Sequence, residues 1–365
     1  MRIICAADGA TSAIREQLGI ERRGVGAIGV MRSVLFRCPE ADAFLARGIQ
    51  QFELEQPDFK AFLTTYNDSR WVLMFRDDAD RDEAALRDAI GRALGRPMKF
   101  DILNTGRWEM AGLIAARYRS GRVFLAGDAA HQLPPTRGGF GANTGIDDAY
   151  NLAWKLAWVL DGRAGCALLD TYGQERQPIG WLRHQQTFAR PDYAKRIGHA
   201  LDVPLYGNAA MELGQLMRSS AILGAGDDLP AAAHPQAWAG QPGVRAPHAW
   251  ISRQGQRLST IDLFTRNFTV ISEDARWLEA VRVCAQVMDL EIDAVGVGID
   301  VEWRGPGSFG ESFGVSAQGA SLVRPDGVVA WRSSQMPSDP AAVLLQAVTQ
   351  ATCRGRAAEP RRADG

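Results

Sequence analysis

The segment from Gly121 to Pro178 constrains the fold of this 365-residue chain more than any other. It combines a short apolar run that predicts a buried strand, a loop rich in glycine and proline, and two helices: residues 122–126, 129–145, 147–160 and 164–183. Asp128 follows the predicted strand directly. The carboxyl end of a strand is where open α/β sheets bind ligands, so this segment predicts a ligand site.

The residue types of the loop suit a flat ligand that carries hydroxyl groups and negative charge. The Asp128 carboxylate can accept hydrogen bonds from a sugar or polyol, and Pro134-Pro135 stiffens the loop. Its glycines let the backbone approach a ligand closely, and the unpaired N–H groups at the start of the following helix favour an anion. Composition alone leaves open an ordinary glycine-rich surface loop before a capped helix.

Charge and cysteine spacing exclude several classes of protein. The chain has 41 basic and 42 acidic residues and a formal net charge of -1, so we expect no nucleic-acid partner. Five cysteines stand far apart without a Cys-x-x-Cys pair, which argues against a disulfide framework or a metal site and fits the reducing cytoplasm. No apolar run approaches the roughly 18 residues of a membrane-spanning helix, and we find no signal-peptide pattern.

Changes in pattern along the chain predict six consecutive segments. The second contains strand-length runs such as 71–75 and one helix over 80–94, and the fifth contains a strand at 268–271, a helix over 275–288 and a hairpin around Arg324-Pro325-Asp326-Gly327. The fourth is a linker rich in Gly, Pro and Ala, and the last is a disordered tail. The predicted boundaries are 1–24, 25–118, 119–223, 224–246, 247–355 and 356–365.

A long stretch of the chain resembles one family. The residues that carry the resemblance are Gly127-Asp128-Ala129-Ala130-His131, Pro134-Pro135, Gly138-Gly139, Gly141 to Gly145, Asp148-Ala149, Asn151 to Leu156, and Leu168 to Tyr172 with Glu175-Arg176-Gln177-Pro178. Together they match the second flavin motif of the FAD-dependent aromatic hydroxylases, the single-component flavoprotein monooxygenases that include phenol and polyketide hydroxylases. Asp8-Gly9 with Arg15 resembles the Asp-Gly motif of the same family.

The resemblance implies an α/β (α+β) fold with several parts. These are a partial FAD-binding domain of the glutathione-reductase-like type, an inserted and mainly antiparallel substrate sheet, a helical segment, and a C-terminal thioredoxin-like domain. The last is indicated by the stretches 245–250, 259–264 and 322–332, and it has no redox pair because Cys284 and Cys353 stand alone. The segment 1–24 is then a remnant of the FAD-binding domain.

The resemblance also implies roles for individual residues. Asp8, Gly9 and Arg15 would help to place the FAD pyrophosphate and NAD(P)H, and Gly127 and Asp128 would hold the ribityl chain. The remaining residues would line the isoalloxazine, with the last three of them donating to its pyrimidine edge: Pro134, Pro135, Gly138, Gly139, Gly141, Ala142 and Asn143.

One part of the family pattern is missing. The family begins with a strand, a Gly-x-Gly-x-x-Gly turn and a helix whose N-terminus binds the pyrophosphate. Gly24-Val25-Gly26-Ala27-Ile28-Gly29 has the right letters, but Glu21-Arg22-Arg23 precedes it and Met31 to Phe36 reads as strand, so we interpret it as unrelated to nucleotide binding. We therefore expect the chain to lack the first nucleotide-binding unit, as a truncated product would.

Substrate contacts are less determined by the sequence. Trp71, Phe75, Arg107 and Trp108 are the candidates, together with Met110 and Tyr118, although such side chains also form ordinary cores. A surface salt bridge is the favoured interpretation of Arg107. Further residues are interpreted as structural: Trp154 and Trp158 as core packing, and His248 and Asp262 as hydrogen-bonded groups rather than an acid–base pair.

Two hypotheses on function follow. In the first, the chain hydroxylates a small phenolic or polycyclic aromatic substrate: NAD(P)H reduces FAD, O2 adds to the flavin C4a position, and the hydroperoxide transfers oxygen to the ring. No catalytic side chain is named, no metal is expected, and a homodimer is possible. In the second, the chain is an inactive fragment, or a subunit that another polypeptide completes. Baeyer–Villiger oxygenation and epoxidation on the same fold stay open.

Overall fold

The computed structural model describes residues 2–135, 139–199 and 201–355. In chain order its strands are β1 (Ile4–Ala6), β2 (Arg22–Arg37), β3 (Gln51–Gln56), β4 (Phe59–Thr65), β5 (Arg70–Phe75), β6 (Asp101–Ala115), β7 (Arg119–Ser120), β8 (Val123–Leu125), β9 (His131–Gln132), β10 (Trp250–Arg253), β11 (Gln256–Ser259), β12 (Phe268–Ser272), β13 (Ile292–Gly296), β14 (Glu302–Trp303), β15 (Ala320–Val323) and β16 (Val329–Ser333). Its α-helices are α1 (Ala13–Gln17), α2 (Glu83–Leu94), α3 (Phe140–Leu160), α4 (Thr171–Phe188), α5 (Pro191–Ile197), α6 (Asn208–Leu213), α7 (Pro235–Trp238), α8 (Ala275–Met288), α9 (Phe309–Phe313) and α10 (Pro340–Ala351).

The chain divides into two compact units. One is Gly24–Leu113, and the other joins Met1–Arg23 to Ile114–Gly365. The smaller unit overlaps the predicted substrate segment, 25–118. We call the smaller unit the sheet unit and the larger one the main unit.

The sheet unit is built on antiparallel strands in the order β3-β4-β5-β2-β6. Alternate residues of β2 and β5 face α2, and their apolar side chains form one core with the helix: Val34, Phe36, Trp71, Leu73, Phe75, Leu86 and Ile90. Helix α2 begins after Asp82, whose carboxylate accepts a hydrogen bond from the Ala85 amide at 2.8 Å. It ends at Gly95 in the left-handed conformation (φ 71°).

The glycine-rich hexapeptide from Gly24 to Gly29 lies inside β2. No helix follows it, because the strand continues to Arg37. The interpretation that these letters are unrelated to a nucleotide-binding turn is therefore confirmed.

In the main unit, β1 pairs in parallel with β8, and β8 pairs in the opposite direction with β7. The register aligns Ile4 with Val123 and Ala6 with Leu125. Both predicted strands exist, but the first is not buried as predicted, since Ile4 and Cys5 are exposed. The reason is the sheet order β1-β8-β7, which places β1 at an edge.

Helix α3 begins at Phe140, seven residues before the predicted start at Asp147. Gly139 precedes it in the left-handed conformation (φ 63°). The predicted loop 129–145 therefore ends earlier than expected, and Gly141, Ala142 and Asn143 lie in the first turns of a helix. Low intrinsic helix propensity of the glycines is overridden here by tertiary contacts, described below.

The C-terminal part has the predicted thioredoxin-like arrangement. Strands β12 and β13 are parallel and joined by α8, β15 and β16 form an antiparallel hairpin, and α10 follows. The sheet order is β13-β12-β15-β16. Helix α8 matches the predicted range 275–288, and the hairpin turn contains Arg324 to Gly327 as predicted. Trp154, Trp158 and Phe268 pack edge to face in the core, which confirms the structural interpretation of the two tryptophans.

Two stretches differ from expectation. Residues 184–223 are predicted to be mostly helical, but the described residues of this range are helical only to Phe188 and in α5 and α6. Residues 224–246, interpreted as a linker, pack within the main unit, with Trp238 and Val244 buried and α7 among them. The Trp238 indole donates to the Gly214 carbonyl at 2.8 Å, a contact that composition does not reveal. The described helices include none with the length and apolar character needed to cross a membrane.

Candidate functional site

Two of the predicted motifs meet at one edge of the β1-β8 pair. Because the two strands are parallel, the Asp8-Gly9 turn after β1 and the Gly127-Asp128 turn after β8 leave the sheet on the same side. The Ala126 amide donates to the Ala6 carbonyl at 3.0 Å, which extends the pairing up to both turns. This is the position at which parallel sheets bind ligands.

The backbone of α3 passes against the turn that follows β8. A Cβ atom added at Gly145 would lie 3.2 Å from the Gly127 Cα, closer than most Cβ contacts allow. Gly127 itself has a φ of 60°, which favours glycine. The two glycines therefore bring the start of the helix and the Asp128 turn together, as the predicted site requires.

A buried carboxylate holds this approach in place. Asp148 of α3 accepts hydrogen bonds from the Gly127 amide (3.2 Å), from His131 Nε2 (2.6 Å) and from Arg176 Nε on α4 (2.8 Å). Burial by itself raises the pKa of Asp148, but Arg176 and His131 outweigh it and lower the pKa below its ordinary value. Asp148 is therefore a buried carboxylate ion that fixes both ends of the turn.

The Asp128 side chain lies at the surface of this turn. Partial desolvation raises its pKa, against the opposing effect of His131. None of the described residues forms a hydrogen bond or an ion pair with its carboxylate, which lies beside the close approach of Gly127 and Gly145. It can accept hydrogen bonds from hydroxyl groups of a ligand in this position.

The first turn of α3 adds N–H donors. Gly141 and Ala142 are in the part of a helix whose amides have no intrahelical acceptor. The Asn143 amide differs from the expectation, because it donates to the Gly139 carbonyl at 3.1 Å. The Gly141 and Ala142 amides thus have no acceptor within the helix, whereas the Asn143 amide is bonded inside it.

The other residues assigned to the loop lie around the same turn. Pro134 is buried, Pro135 is exposed, and the Pro135 carbonyl accepts a hydrogen bond from the Tyr193 hydroxyl. Gly138 lies outside the described residues. Gly139 is the cap of α3, and a Cβ atom added to it would lie 3.5 Å from the side-chain Nδ2 of Asn143.

Arg15 joins the two motif loops. Its side chain is buried, and its guanidinium donates to the Ala129 carbonyl at 3.0 Å and to the Ala10 carbonyl at 2.9 Å. Asp8 is exposed and accepts from the Ile14 amide at 3.2 Å, and its hydrogen bond with Ser12 lowers its pKa. Arg15 thus links the loop after β1 to the loop after β8 by hydrogen bonds. Its contacts with the pyrophosphate and NAD(P)H stay a prediction.

A second buried ionic cluster lies behind the site. Glu175 of α4 accepts from Lys155 Nζ (2.8 Å) and from both Nη atoms of Arg324 (2.8 and 2.9 Å), and Arg324 also pairs with Asp326. Burial lowers the pKa of Lys155 to about 8, although Glu175 opposes the shift. All four charged residues of this cluster lie in stretches that carry the family resemblance. Their contacts join residues up to 149 positions apart, which no local sequence pattern reveals.

The predicted substrate residues of the sheet unit fall into separate places. Trp71 and Phe75 are buried in the core under α2, and the Trp71 indole donates to Asp42 at 3.2 Å. Arg107 forms a paired salt bridge with Asp78 at 2.7 and 2.6 Å, both side chains being exposed. The favoured interpretation of Arg107 as a surface salt bridge is thus confirmed, and the pKa of Asp78 is lowered by Arg107 and Arg32.

The opposite face of the same sheet carries a different apolar set. Ser33 pairs with Met74 and Leu35 with Val72, and these positions alternate with the core positions, so they face away from α2. The Met110 methyl group approaches Gly29 from this side. Trp108 shares this face by its two-residue spacing from Met110 and is half-buried. Tyr118 lies elsewhere, in the buried core of the main unit.

The remaining candidates are structural. His248 contacts Ser259 Oγ at 2.8 Å, and Asp262 accepts from the Ser259 amide at 2.9 Å within a capping box. Both residues therefore serve the start of one short helical turn, as interpreted. Within the described part of the chain, His, Cys, Asp and Glu side chains form no group suited to a metal ion.

Comparison with known protein families matches two regions of the chain. The family described as "FAD binding domain" matches residues 2–187, and the family described as "Aromatic-ring hydroxylase, C-terminal" matches residues 239–354. The first region contains both motif loops, β9, α3 and most of α4. The second contains the thioredoxin-like sheet.

Individual proteins are similar over nearly the whole chain. The tetracenomycin A2 monooxygenase-dioxygenase of Streptomyces glaucescens is 39% identical over 97% of this chain and 66% of its own length. The 4-methyl-5-nitrocatechol 5-monooxygenase of a Burkholderia species is 38% identical over 97% of this chain and 68% of its own length. A crystal structure of aklavinone-11 hydroxylase in a ternary complex with FAD and aklavinone matches with a TM-score of 0.87 and 36% identity, over 96% of this chain and 68% of that one. The chain thus spans about two thirds of the length of the relatives it matches.

Proposed function

The chain belongs to the FAD-dependent aromatic-ring hydroxylases, and from this premise we propose that it is a monooxygenase that hydroxylates a phenolic or polycyclic aromatic compound with O2 and NAD(P)H. Bound FAD would supply the redox chemistry, namely acceptance of a hydride and activation of O2. The chain itself would supply position, charge and exclusion of water. The names of the relatives, which refer to tetracenomycin, nitrocatechol and aklavinone, support an aromatic substrate.

One observation carries the proposal: the close approach of Gly145 to Gly127 beside the exposed Asp128 carboxylate. This geometry fits the flavin half of FAD. Asp128 would accept hydrogen bonds from the ribityl hydroxyls, and the Gly141 and Ala142 amides would donate to the pyrimidine edge of the isoalloxazine. The positive end of α3 would favour the negative charge that a reduced flavin carries.

The substrate is proposed to contact the sheet face that lies opposite α2. Leu35, Met74 and Trp108 are half-buried and give that face apolar and aromatic surface, which suits a flat ring system. Met side chains adapt to ligands of different outline. We do not assign Trp71 or Phe75 to substrate contact, since both belong to the core under α2.

A cytoplasmic location belongs to the same proposal. The cysteines form no disulfide among the described residues, and Cys38, Cys284 and Cys353 are buried, which suits a reducing compartment that also holds NAD(P)H. A homodimer stays a prediction, which sedimentation velocity of the purified chain would test.

The experiment that tests the proposed function starts with FAD binding by the purified chain. Flavin absorbance that survives desalting, together with quenching of FAD fluorescence on titration, is the expected result. The Asp128→Ala variant should bind FAD at least tenfold more weakly, because hydrogen bonds to a charged group contribute about 1.5 to 3 kcal/mol. Asp161→Ala, which removes an exposed carboxylate at the far end of α3, is the matched control and should bind as the parent does.

Activity is then measured as NAD(P)H oxidation with formation of a hydroxylated product, with aklavinone and 4-methyl-5-nitrocatechol as probes. A chain that stays colourless and does not quench FAD fluorescence would contradict the proposal. Equal FAD affinity of Asp128→Ala and the parent would contradict the role of Asp128 alone.

A further inference from the structure

The first two turns of α3 are surrounded by more positive than negative charge. Arg176 pairs with Asp148 (2.8 Å), Arg245 pairs with Asp147 (2.7 Å), and Arg183 reaches the same Asp147 at 3.4 Å. Three guanidinium groups thus share two carboxylates. Among the described residues, one positive charge is left over beside the start of the helix.

Arg183 is the cation whose charge is least compensated. Its side chain is 2% exposed, and its Nη1 donates to the Phe140 carbonyl at 3.2 Å and to Thr144 Oγ1 at 2.8 Å. The nearest acid, Asp147, already bonds Arg245 at a shorter distance. Burial lowers the pKa of Arg183 to about 10, so the group is still a cation at neutral pH.

The other charged groups that the structure describes nearby do not cancel this excess, and the Asp128 carboxylate at the neighbouring turn is exposed to solvent, which screens it. Glu175, Asp326, Lys155 and Arg324 form their own set of two acids and two bases. Glu212 lines the same cleft as Arg176 and Arg245, but it is exposed to solvent, which screens it. His131 donates to Asp148 and does not reduce the number of cations.

We infer that Arg183 is a positioning residue for bound flavin: it holds the first turn of α3 and, through its uncompensated charge, raises the reduction potential of a flavin placed there. The inference rests on the proposed function. Hydride transfer from NAD(P)H brings one proton and two electrons to the flavin, which gains one negative charge as the nicotinamide is oxidised. A buried cation at the end of the helix stabilises that charge in addition to the partial charge of the helix dipole.

The experiment measures the reduction potential of FAD bound to four variants, by titration with dithionite against a reference dye. Arg183→Gln should lower the ratio of affinities for reduced and oxidised flavin at least tenfold, which is a fall of about 30 mV for a two-electron couple. Arg183→Lys keeps the charge and should stay within about threefold of the parent, and Asp147→Asn removes a negative charge and should shift the potential upwards. Arg163→Gln is the control, because Arg163 lies beyond the other end of α3, roughly 30 Å away by the rise of the helix, and should cause no shift.

The outcomes separate the inference from the proposed function. Opposite shifts in Arg183→Gln and Asp147→Asn support the inference, and unchanged potentials or shifts of the same sign in both variants overturn it while the proposed function stands. A parent chain that binds no FAD overturns both. If Arg183→Gln does not fold, the other two variants still test the inference. An upward shift of the reduction potential in Asp147→Asn and no shift in Arg183→Lys supports it. Any other pair of results overturns it.

Discussion

Asp148 lies in a buried position where one carboxylate accepts hydrogen bonds from three parts of the chain. Its partners, His131, Gly127 and Arg176, are 17, 21 and 28 residues away in sequence. The motif contains Asp148, but nothing in its local pattern distinguishes it from the more exposed Asp147. The sequence therefore located the turn and the helix, and the tertiary structure identified the residue that joins them.

Replacement of Asp148 by Asn should destabilise the chain by about 3 to 5 kcal/mol, because buried Arg176 then keeps only the more distant Asp147, at 3.9 Å, as an acidic partner. The folded-state pKa of Asp148 is below its ordinary value, so its contribution to stability is present above pH 4 and lost as the pH falls through the folded-state pKa. Urea unfolding of the parent should therefore depend more steeply on pH below 4 than unfolding of Asp148→Asn. Asp161→Asn is the control, and equal stability of the two variants at pH 7 would refute the anchoring role.

Arg15 shows a similar limit at the scale of single residues. The sequence placed it near the Asp-Gly motif, which is where it lies. Its bond to Ala10 is local, but its bond to Ala129 depends on a fold that brings residues 114 positions apart into contact. A cationic side chain was foreseeable at this site, whereas its direction was not.

At the scale of elements, α3 shows how packing overrides local preference. Two glycines in its first six residues predict a loop, and the sequence reading placed the start of the helix at Asp147. The helix instead begins at Phe140, where Arg183 bonds the Phe140 carbonyl and Thr144 and where Gly145 packs on Gly127. The same glycines that weaken the helix permit this contact.

The sheet unit shows that a strand can be predicted while its faces are not. Trp71 lies in a strand as predicted, but alternation alone does not tell which of its faces meets α2. The structure assigns Trp71 and Phe75 to the core, and Val72 and Met74 to the other face. The proposed substrate contact therefore excludes Trp71 and Phe75 and includes their neighbour Met74, and it stays a prediction.

Truncation of the two faces should have different effects. Trp71→Ala removes a fully buried ring and should cost about 3 to 5 kcal/mol in the free energy of unfolding. Met74→Ala lies on the opposite, half-buried face, and should cost less stability but weaken binding of aklavinone. Chemical denaturation and aklavinone titration of both variants test this. Trp71→Phe is a milder change at the buried ring. If it weakens aklavinone binding more than Met74→Ala does, the two faces are wrongly assigned.

At the scale of the whole molecule, the Glu175 cluster joins α3 and α4 to the hairpin turn of the thioredoxin-like sheet. Lys155 and Glu175 come from the helices, and Arg324 and Asp326 from the turn. Burial raises the pKa of Glu175, but Arg324 and Lys155 outweigh it and hold the pKa well below its ordinary value. The C-terminal sheet is thereby tied to the helices that carry the candidate site.

Glu175→Gln should lower the free energy of unfolding by about 3 to 5 kcal/mol, since it leaves Lys155 and Arg324 buried with fewer negative partners. The depressed pKa of Glu175 contributes stability above its ordinary pKa of 4.5, and this contribution is lost as the pH falls. The variant should therefore lose less stability than the parent between neutral pH and the acid range. Thermal and urea unfolding measure both effects. Glu279→Gln, at an exposed pair with Arg282, should match the parent, and a similarly small effect of Glu175→Gln would exclude a structural role for the cluster.

The sequence by itself determined the family, the fold class, the strands on each side of the Asp128 turn, the helix over 275–288 and the final hairpin. The family and the fold class follow from the resemblance of the motifs, whereas the strands, the helix and the hairpin follow from short-range causes, namely apolar periodicity, capping residues and the conformational freedom of glycine. Only the tertiary structure decided that β1 lies beside β8, that Asp148 anchors the turn, which face of the sheet packs on α2, and that three arginines share two acids. Each of these depends on side chains or strands that are distant along the chain, and their pairing is set by how the whole chain packs.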